Sequence, residues 1–471
     1  MPRPWDRRFA TGTSRRPISR EALALGRRCD FVPFSVLALC GFLHVMESPL
    51  RAQEIPFSRF ELPNGLTVIL HEDHRLPLVT VNLWYYVGSK DEIQGRSGFA
   101  HLFEHLMFMG TEKVPYPQFD NIMEKSGGSN NASTSEDRTN YFESGPRELL
   151  ETFIYLEADR MASLGVSMTQ EKLEAQRKIV RNERRQSYEN RPYGKAYLEI
   201  PQQIYPYGHP YHHPVIGSHE DLERATVDDV KDFFKKFYIP NNASLVVAGD
   251  FDPVVARRLV EKYFGRLGER PPVEHVKQAP PAKIEGTKRA TIEDTVELPL
   301  SIFVWHSPAV FADGDADMDI VASVLGGGKS SRLYRRLVYE KKLAQEVDVA
   351  QSSSLLSSTF YIFAYVRPEA SQDELEAEVD REIERLKAEG PALREIERAR
   401  NKVETSFWRG LEGLGERADR LNRYQFHFAD PGAIGKDRAR YDAVTGETAA
   451  RWAREVLRQD ERLILRVVPK G

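Results

Sequence analysis

The chain reads as an α+β protein built twice, each copy an antiparallel sheet covered by helices. Two observations carry that reading. Segments repeat in one order at nearly one offset, and strands and helices mix without a strict βαβ alternation. Leu76–Leu78 followed by Val79–Trp84 is echoed by Leu298–Leu300 followed by Ser301–Trp305, an offset of 222 (298 − 76). The helical pattern Leu173–Arg185 returns as Ile396–Trp408, an offset of 223 (396 − 173). Thr226, Val230 and Phe233 return as Thr445, Ala449 and Trp452, and the strand Leu245–Ala248 returns as Leu463–Arg466. Within each copy the predicted order is strand, strand, helix, strand, helices, strand. The seam falls in the Pro- and Lys-rich stretch Glu269–Lys288, which predicts a first domain over 53–268 and a second over 289–471.

The first 52 residues stand apart. They hold nine Arg, no Lys and four acids, and they end in the apolar run Phe31–Met46. That run is too short to span a bilayer and fits the apolar region of a signal peptide, with a cleavage site near Ala52. The expectation is export to the periplasm, with no stable membrane span once the leader is removed; an uncleaved anchor is the alternative. Both cysteines, Cys29 and Cys40, lie in the leader, so the remaining chain can form neither a disulfide nor a thiolate metal site. Removing the leader's charge of +5 from the total of −4 leaves −9, which argues against nucleic acid as a partner.

Chemistry concentrates at His101-Leu102-Phe103-Glu104-His105. Histidines at i and i+4 share one helical face, and Glu104 at i+3 shares it with them. Two neutral imidazoles so placed form half of a zinc site, and a carboxylate beside them can accept a proton from a metal-bound water. The order His-x-x-Glu-His is the inverse of the commoner zinc-peptidase signature. A third ligand is needed. Downstream, Leu173, Ile179 and Val180 amid charges predict an amphipathic helix ended by Pro192 and Gly194, and periodicity alone singles out none of its acids.

This arrangement resembles the M16 (pitrilysin or insulinase) metallopeptidase family. The likeness extends to Phe60–Val68 (FELPNGLTV), Gly98–His101, Gly110-Thr111, Asn131–Tyr141, Tyr207–Tyr211 (YGHPY) and Asn241–Asp250, in order along the chain after the leader. It implies one zinc per chain bound by His101, His105 and Glu183, with Glu104 as general base. It also implies two α/β-roll domains forming half of a clamshell, and unfolded peptides as substrates. The family often carries a glutamate seven residues before the third ligand; here Gln176 stands there, able to hydrogen-bond a ligand but not to carry charge.

Ser129–Tyr141 alternates small and polar residues after a Gly127-Gly128 turn, reading as an edge strand whose Asn131, Ala132 and Ser133 could pair with an extended peptide. At an offset of 222, His101, Glu104 and His105 land on Ser323, Gly326 and Gly327, so the second copy has no zinc motif. Complete members of the family also supply an Arg and a Tyr seven residues apart to hold the substrate carbonyl. The matching positions here are Val338 and Gln345. The resemblance therefore implies a heterodimer in which a homologous subunit contributes the Arg-Tyr pair. A self-sufficient homodimer and an inactive zinc-binding scaffold are the alternatives. Gly326–Ser330 (GGGKS) lacks the earlier glycine of a phosphate loop, and His209, His212, His213 and His219 sit among Pro and Gly with no convergent face.

Overall fold

The strand segments that repeat in sequence become inner strands of two sheets, and the repeated helical segments become helices that cover them. The computed structural model describes residues 54–470 except 277, 278, 280 and 281, so the leader, with Cys29, Cys40 and the cleavage site at Ala52, lies outside the described residues. The first half runs β1 (Ser58–Glu61), β2 (Thr67–Glu72), β3 (Leu78–Tyr85), α1 (Phe99–Leu106), α2 (Gln118–Ser126), β4 (Ser129–Thr134), β5 (Thr139–Pro146), α3 (Leu150–Ser163) and α4 (Gln170–Arg184). It continues through α5 (Gly194–Ile204), α6 (His219–Arg224), α7 (Val227–Phe237), β6 (Ala243–Gly249) and α8 (Pro253–Tyr263). The second half runs β7 (Gly286–Asp294), β8 (Leu300–Ser307), α9 (Asp315–Gly326), β9 (Ala344–Ser352), β10 (Ser358–Val366), α10 (Gln372–Glu389) and α11 (Leu393–Arg409). It closes with α12 (Leu414–Phe428), α13 (Ile434–Asp442), α14 (Gly446–Val456) and β11 (Glu461–Pro469).

Strand order in the first sheet is β1-β2-β6-β3-β5-β4 and in the second β7-β11-β8-β10-β9. Apart from β1, the two orders are the same. The helix caps repeat as well. Thr226 opens α7 with a capping box to Asp229, and Thr445 opens α14 with one to Thr448.

Three details differ from the sequence reading. Each sheet contains one parallel pair, β2 with β6 and β7 with β11, because the last strand of each half returns through helices to lie between earlier strands. The helix after the second inner strand is followed by a hairpin, β4–β5 or β9–β10, where one strand was expected; the Ser135–Arg138 turn has no Gly or Pro to mark it and is closed by Ser135 Oγ, which accepts from the Asp137 and Arg138 amides. β7 begins at Gly286, inside the stretch read as linker.

Each half has its own core, Val81, Leu83, Phe103, Phe153 and Leu245 in the first, Trp305, Ile320, Leu337 and Ile362 in the second. Burying each such side chain contributes about 1.5–3 kcal/mol. A further cluster joins the halves: Ile69, Val246 and Ala248 on the other face of the first sheet meet Ala418, Leu421, Tyr424 and Ile434 of α12 and α13. β6 is therefore covered on both faces, which is why its sequence, Ala243–Gly249, is apolar without alternation. Asn422 secures this contact, donating to the Asn82 carbonyl at 2.9 Å and accepting from Ser244 Oγ at 2.7 Å. The exchange is reciprocal, since Tyr193 at the start of α5 donates from its hydroxyl to Leu298 O at 3.0 Å, and His306 on β8 donates to Ile204 O at 3.0 Å.

Candidate metal centre

α1 is set by its entry. Gly98 sits at φ 87°, and a Cβ there would meet Ile216 O at 2.8 Å, so only glycine turns the chain into the helix at this point. No side chain of the cap residue closes the end. Instead the buried Glu92 carboxyl accepts from the Gly98 amide at 2.9 Å and the Ala100 amide at 2.7 Å, closing the helix N-terminus. Burial pushes the Glu92 carboxyl well above its usual range, against the pull of those two amides. Ser97 donates from amide and hydroxyl to Asp221 (3.0 and 2.6 Å), fixing the preceding residue. Leu102, Phe103 and Leu106 face the core, Phe103 against Tyr238 with ring centroids 4.6 Å apart. The opposite face is left to His101, Glu104 and His105, all partly buried.

α4 supplies the third group. Thr169 caps it by accepting from the Lys172 amide, and Leu173, Arg177 and Val180 face inward. Glu183 lies in its last turn, just before a π-helical turn at Arg185–Glu189. Glu183 Oε2 is 3.3 Å from His105 Nε2 and 3.7 Å from His101 Nε2, and the three donor atoms all lie within 4.8 Å of one another. Ligands about 2.1 Å from a tetrahedral metal are roughly 3.4 Å apart, so two edges of the triangle already have the right length. Burial, with the neighbouring His105, holds the His101 ring down to about 4, against the Glu183 charge, and a neutral ring is the form that can donate to a metal. Burial would raise Glu183, but the His105 hydrogen bond and both imidazoles outweigh it and hold the carboxyl below its usual value. His101 Nδ1 is buried without a partner. Two imidazole nitrogens and one carboxylate oxygen are a donor set suited to zinc. Among the described residues, no other group of histidine and acidic side chains has this convergence.

Glu104 stands beside this triangle. Its Oε2 accepts from Thr134 Oγ1 at 2.6 Å, and burial raises its carboxyl above the usual value despite that bond and the charges of His105 and Arg138. Thr134 is the last residue of β4, the edge strand that holds Asn131, Ala132 and Ser133. Asn131 is exposed and its Oδ1 accepts from the Ala132 amide at 2.8 Å; Ser133 donates to Asn140 Oδ1 at 2.7 Å. Arg138 reaches back along the hairpin to the Ser133 carbonyl at 2.7 Å. Thr134, Glu92 and Arg138 were not singled out from the sequence. Thr134 and Arg138 fall inside the Asn131–Tyr141 motif, whereas Glu92 lies in an irregular turn with no periodicity to flag it. Gln176 donates its amide to Met109 Sδ at 2.7 Å rather than to a member of the triangle.

In the second half the left-handed glycine that opens α9 is Gly314, 216 residues after Gly98 (314 − 98). Counted from these glycines, the equivalents of His101, Glu104 and His105 are Asp317, Ile320 and Val321 rather than Ser323, Gly326 and Gly327, and the conclusion that this copy lacks the motif stands. Val338 is buried, Gln345 is exposed, and nearby Arg336 is engaged by Glu378 at 2.9 Å and Glu340 at 3.2 Å.

Residues 67–205 match the family model for insulinase (peptidase family M16), and residues 224–403 match that for the peptidase M16 inactive domain. The zinc protease PqqE of Helicobacter pylori is 31% identical over 361 residues, covering 75% of this chain and 80% of that protein. The chain belongs to the M16 peptidase family. This M16 chain is also 23% identical over 415 residues to the uncharacterized zinc protease YmxG of Bacillus subtilis, covering 88% of the chain and 98% of that protein. In fold it resembles the crystal structure of a protease from Helicobacter pylori, with a TM-score of 0.82 and 27% identity over 88% of this chain and 100% of that one. The first half of the periplasmic protease PqqL from Escherichia coli shares the fold at a TM-score of 0.72 and 18% identity; the present chain covers 92% of that half and 48% of the whole PqqL chain. No helix among the described residues is long and apolar enough to cross a membrane.

Proposed function

We propose that this chain is a zinc-dependent peptidase acting on unfolded peptides, and that it is the zinc-bearing subunit of a heterodimer. The observation that carries the reading is the convergence of His101, His105 and Glu183 within 4.8 Å, on a face shared with Glu104. One zinc ion held by those three side chains would supply a polarised water and a Lewis acid for the scissile carbonyl. Glu104, its carboxyl oriented by Thr134, would serve as the proton acceptor beside that site. β4 offers its free edge to an extended peptide, whose backbone pairing displaces the Asn131 side chain from the Ala132 amide. Because Thr134 belongs to that strand, substrate and base share one rigid support.

Val338 and Gln345 offer the carbonyl no paired donors, and loss of such a donor costs roughly 3–4 kcal/mol of barrier. A homologous subunit with Arg and Tyr at these positions would restore them from across the clamshell. We place the mature protein in the periplasm on the strength of the apolar segment before Ala52. The test compares cleavage of an unfolded peptide by the chain alone, with and without chelator, by the chain with whatever co-purifies from its host, and by Val338→Arg, Gln345→Tyr. Chelator-sensitive cleavage that rises with the partner or the double substitution supports the proposal. Equal turnover by the isolated chain points to a self-sufficient homodimer, and no turnover in any arm points to a scaffold.

A further inference from the structure

The helix pair that carries the triangle in the first half has a counterpart in the second. α4 follows its cap residue Thr169 and α11 follows Ala392, an offset of 223 (392 − 169), so Ser406 stands where Glu183 does. Beside α11 lies an open groove of about 790 Å³ lined by Ser330, Arg394, Arg398, Lys402, Ser406 and Arg409, with Glu397 as its one acid. Arg394, Arg398, Lys402 and Arg409 recur at spacings of four, four and seven, one stripe along the helix. Lys329 and the Gly326–Gly328 turn flank it, and Lys402 Nζ lies 3.4 Å from where a Cβ on Gly328 would stand.

Several other arginines of this half are neutralised by acids. Arg332, Arg336, Arg440, Arg462 and Arg466 each meet a carboxylate. No ion pair joins Arg394 or Arg409 to any described residue; the charge of Arg398 acts on Glu395 and helps to lower its carboxyl, but Arg398 Nη2 is buried without a hydrogen-bond partner. An excess of cations inside a chain that is acidic overall signals an anionic occupant. Its shape selects which one. The guanidinium groups do not converge on a point; Arg394 and Arg409 are separated by about 22 Å of helix, the length of about seven extended residues.

We propose that the α11 groove binds acidic segments of peptides, their carboxylates spaced along Arg394, Arg398, Lys402 and Arg409. The site is separate from the triangle and does not depend on the reading of it. Arginine suits this task through its forked contact with carboxylates.

The experiment measures anisotropy of dye-labelled octaglutamate, octalysine and a Gly-Ser peptide with the full chain, metal removed by chelator, at low salt. Octaglutamate should bind and the other two should not, with affinity falling as salt rises. Arg398→Glu, Arg409→Glu together should weaken binding about tenfold or more, and Glu397→Lys should tighten it. Glu104→Gln should leave it unchanged, and circular dichroism should show each variant folded. Equal binding of octalysine, indifference to charge reversal, or displacement of octaglutamate by inorganic phosphate at equal concentration would each overturn the proposal.

Discussion

The two halves share a strand order, matching glycine entries at Gly98 and Gly314, and matching threonine caps at Thr226 and Thr445, yet they present different chemistry on the same scaffold. Where the first half has His101, Glu104, His105 and Glu183, the second has Asp317, Ile320, Val321 and Ser406. Ile320 and Val321 are fully buried, so the helix face that meets solvent at the triangle is absorbed into the core in the copy. The connections differ too. The inner strands are 222 apart, but the helix entries are 216 apart, so the first half has six more residues between them (222 − 216). That longer connection contains Glu92, the carboxylate that ties down the start of α1. The halves share a fold; the site distinguishes one from the other through a handful of side chains and one longer loop.

The largest effect should come from the base. Glu104→Gln keeps shape and removes the proton acceptor, so peptide cleavage should fall roughly 10²–10⁴-fold with metal content unchanged. Steady-state kinetics beside metal analysis checks this; wild-type turnover would move the base elsewhere.

The paired glycines come next. Gly98→Ala and Gly314→Ala each force a side chain into a left-handed conformation, against Ile216 O at 2.8 Å in one case and into the Trp452 ring in the other. Each should cost about 1–3 kcal/mol in chemical denaturation. Only Gly98→Ala should also loosen metal binding, because of the two helices only α1 carries proposed ligands. If both weaken it equally, the halves are coupled more tightly than their separate cores imply.

Of similar size is a pH term where the halves touch. Asp137, in the β4–β5 turn, accepts from Tyr211 at 2.5 Å and from the Leu355 amide at 2.8 Å, Leu355 lying in the β9–β10 turn of the other half. Burial raises its carboxyl to about 6 from an ordinary 3.8, outweighing those donors and the charge of Lys90. The folded protein thus holds this proton more tightly than the unfolded chain does. The stabilisation is complete below about 4 and is lost as pH rises through about 6, roughly 3 kcal/mol in all. Melting temperatures of the wild type minus Asp137→Asn should therefore decline between pH 4 and 7; a difference independent of pH would remove Asp137 from the account.

The smallest contrast is the caps. Thr226→Ala and Thr445→Ala should each cost about 1 kcal/mol and match within error, since both open equivalent helices. Unequal losses would show that the repeat is less faithful than its strand order.

Much of this is legible in the sequence. The pairing of His101 with His105 follows from helical period alone, and the duplication follows from repeated strands and caps. Glu183 emerged only through family resemblance, because its helix offers several acids and nothing local distinguishes one. The Thr134 bond to Glu104 spans 30 residues and the Glu92 cap depends on a loop path, neither of which leaves a periodic trace. The same limit hid the parallel pairs: β2 meets β6 across most of the first half, and pairing at that distance is settled by packing rather than by local pattern. Counting the helix match at the strands' offset misplaced it by six residues, because loop length is free where strand register is not.

On this reading the first half, and not its copy, holds a metal. Elemental analysis of the purified chain and its variants tests it most directly. The purified chain should hold about one zinc, lost in His101→Ala and in Glu183→Ala, and retained in Asp317→Ala and Ser406→Ala. Stoichiometric zinc surviving in the His101→Ala, His105→Ala double variant would contradict it.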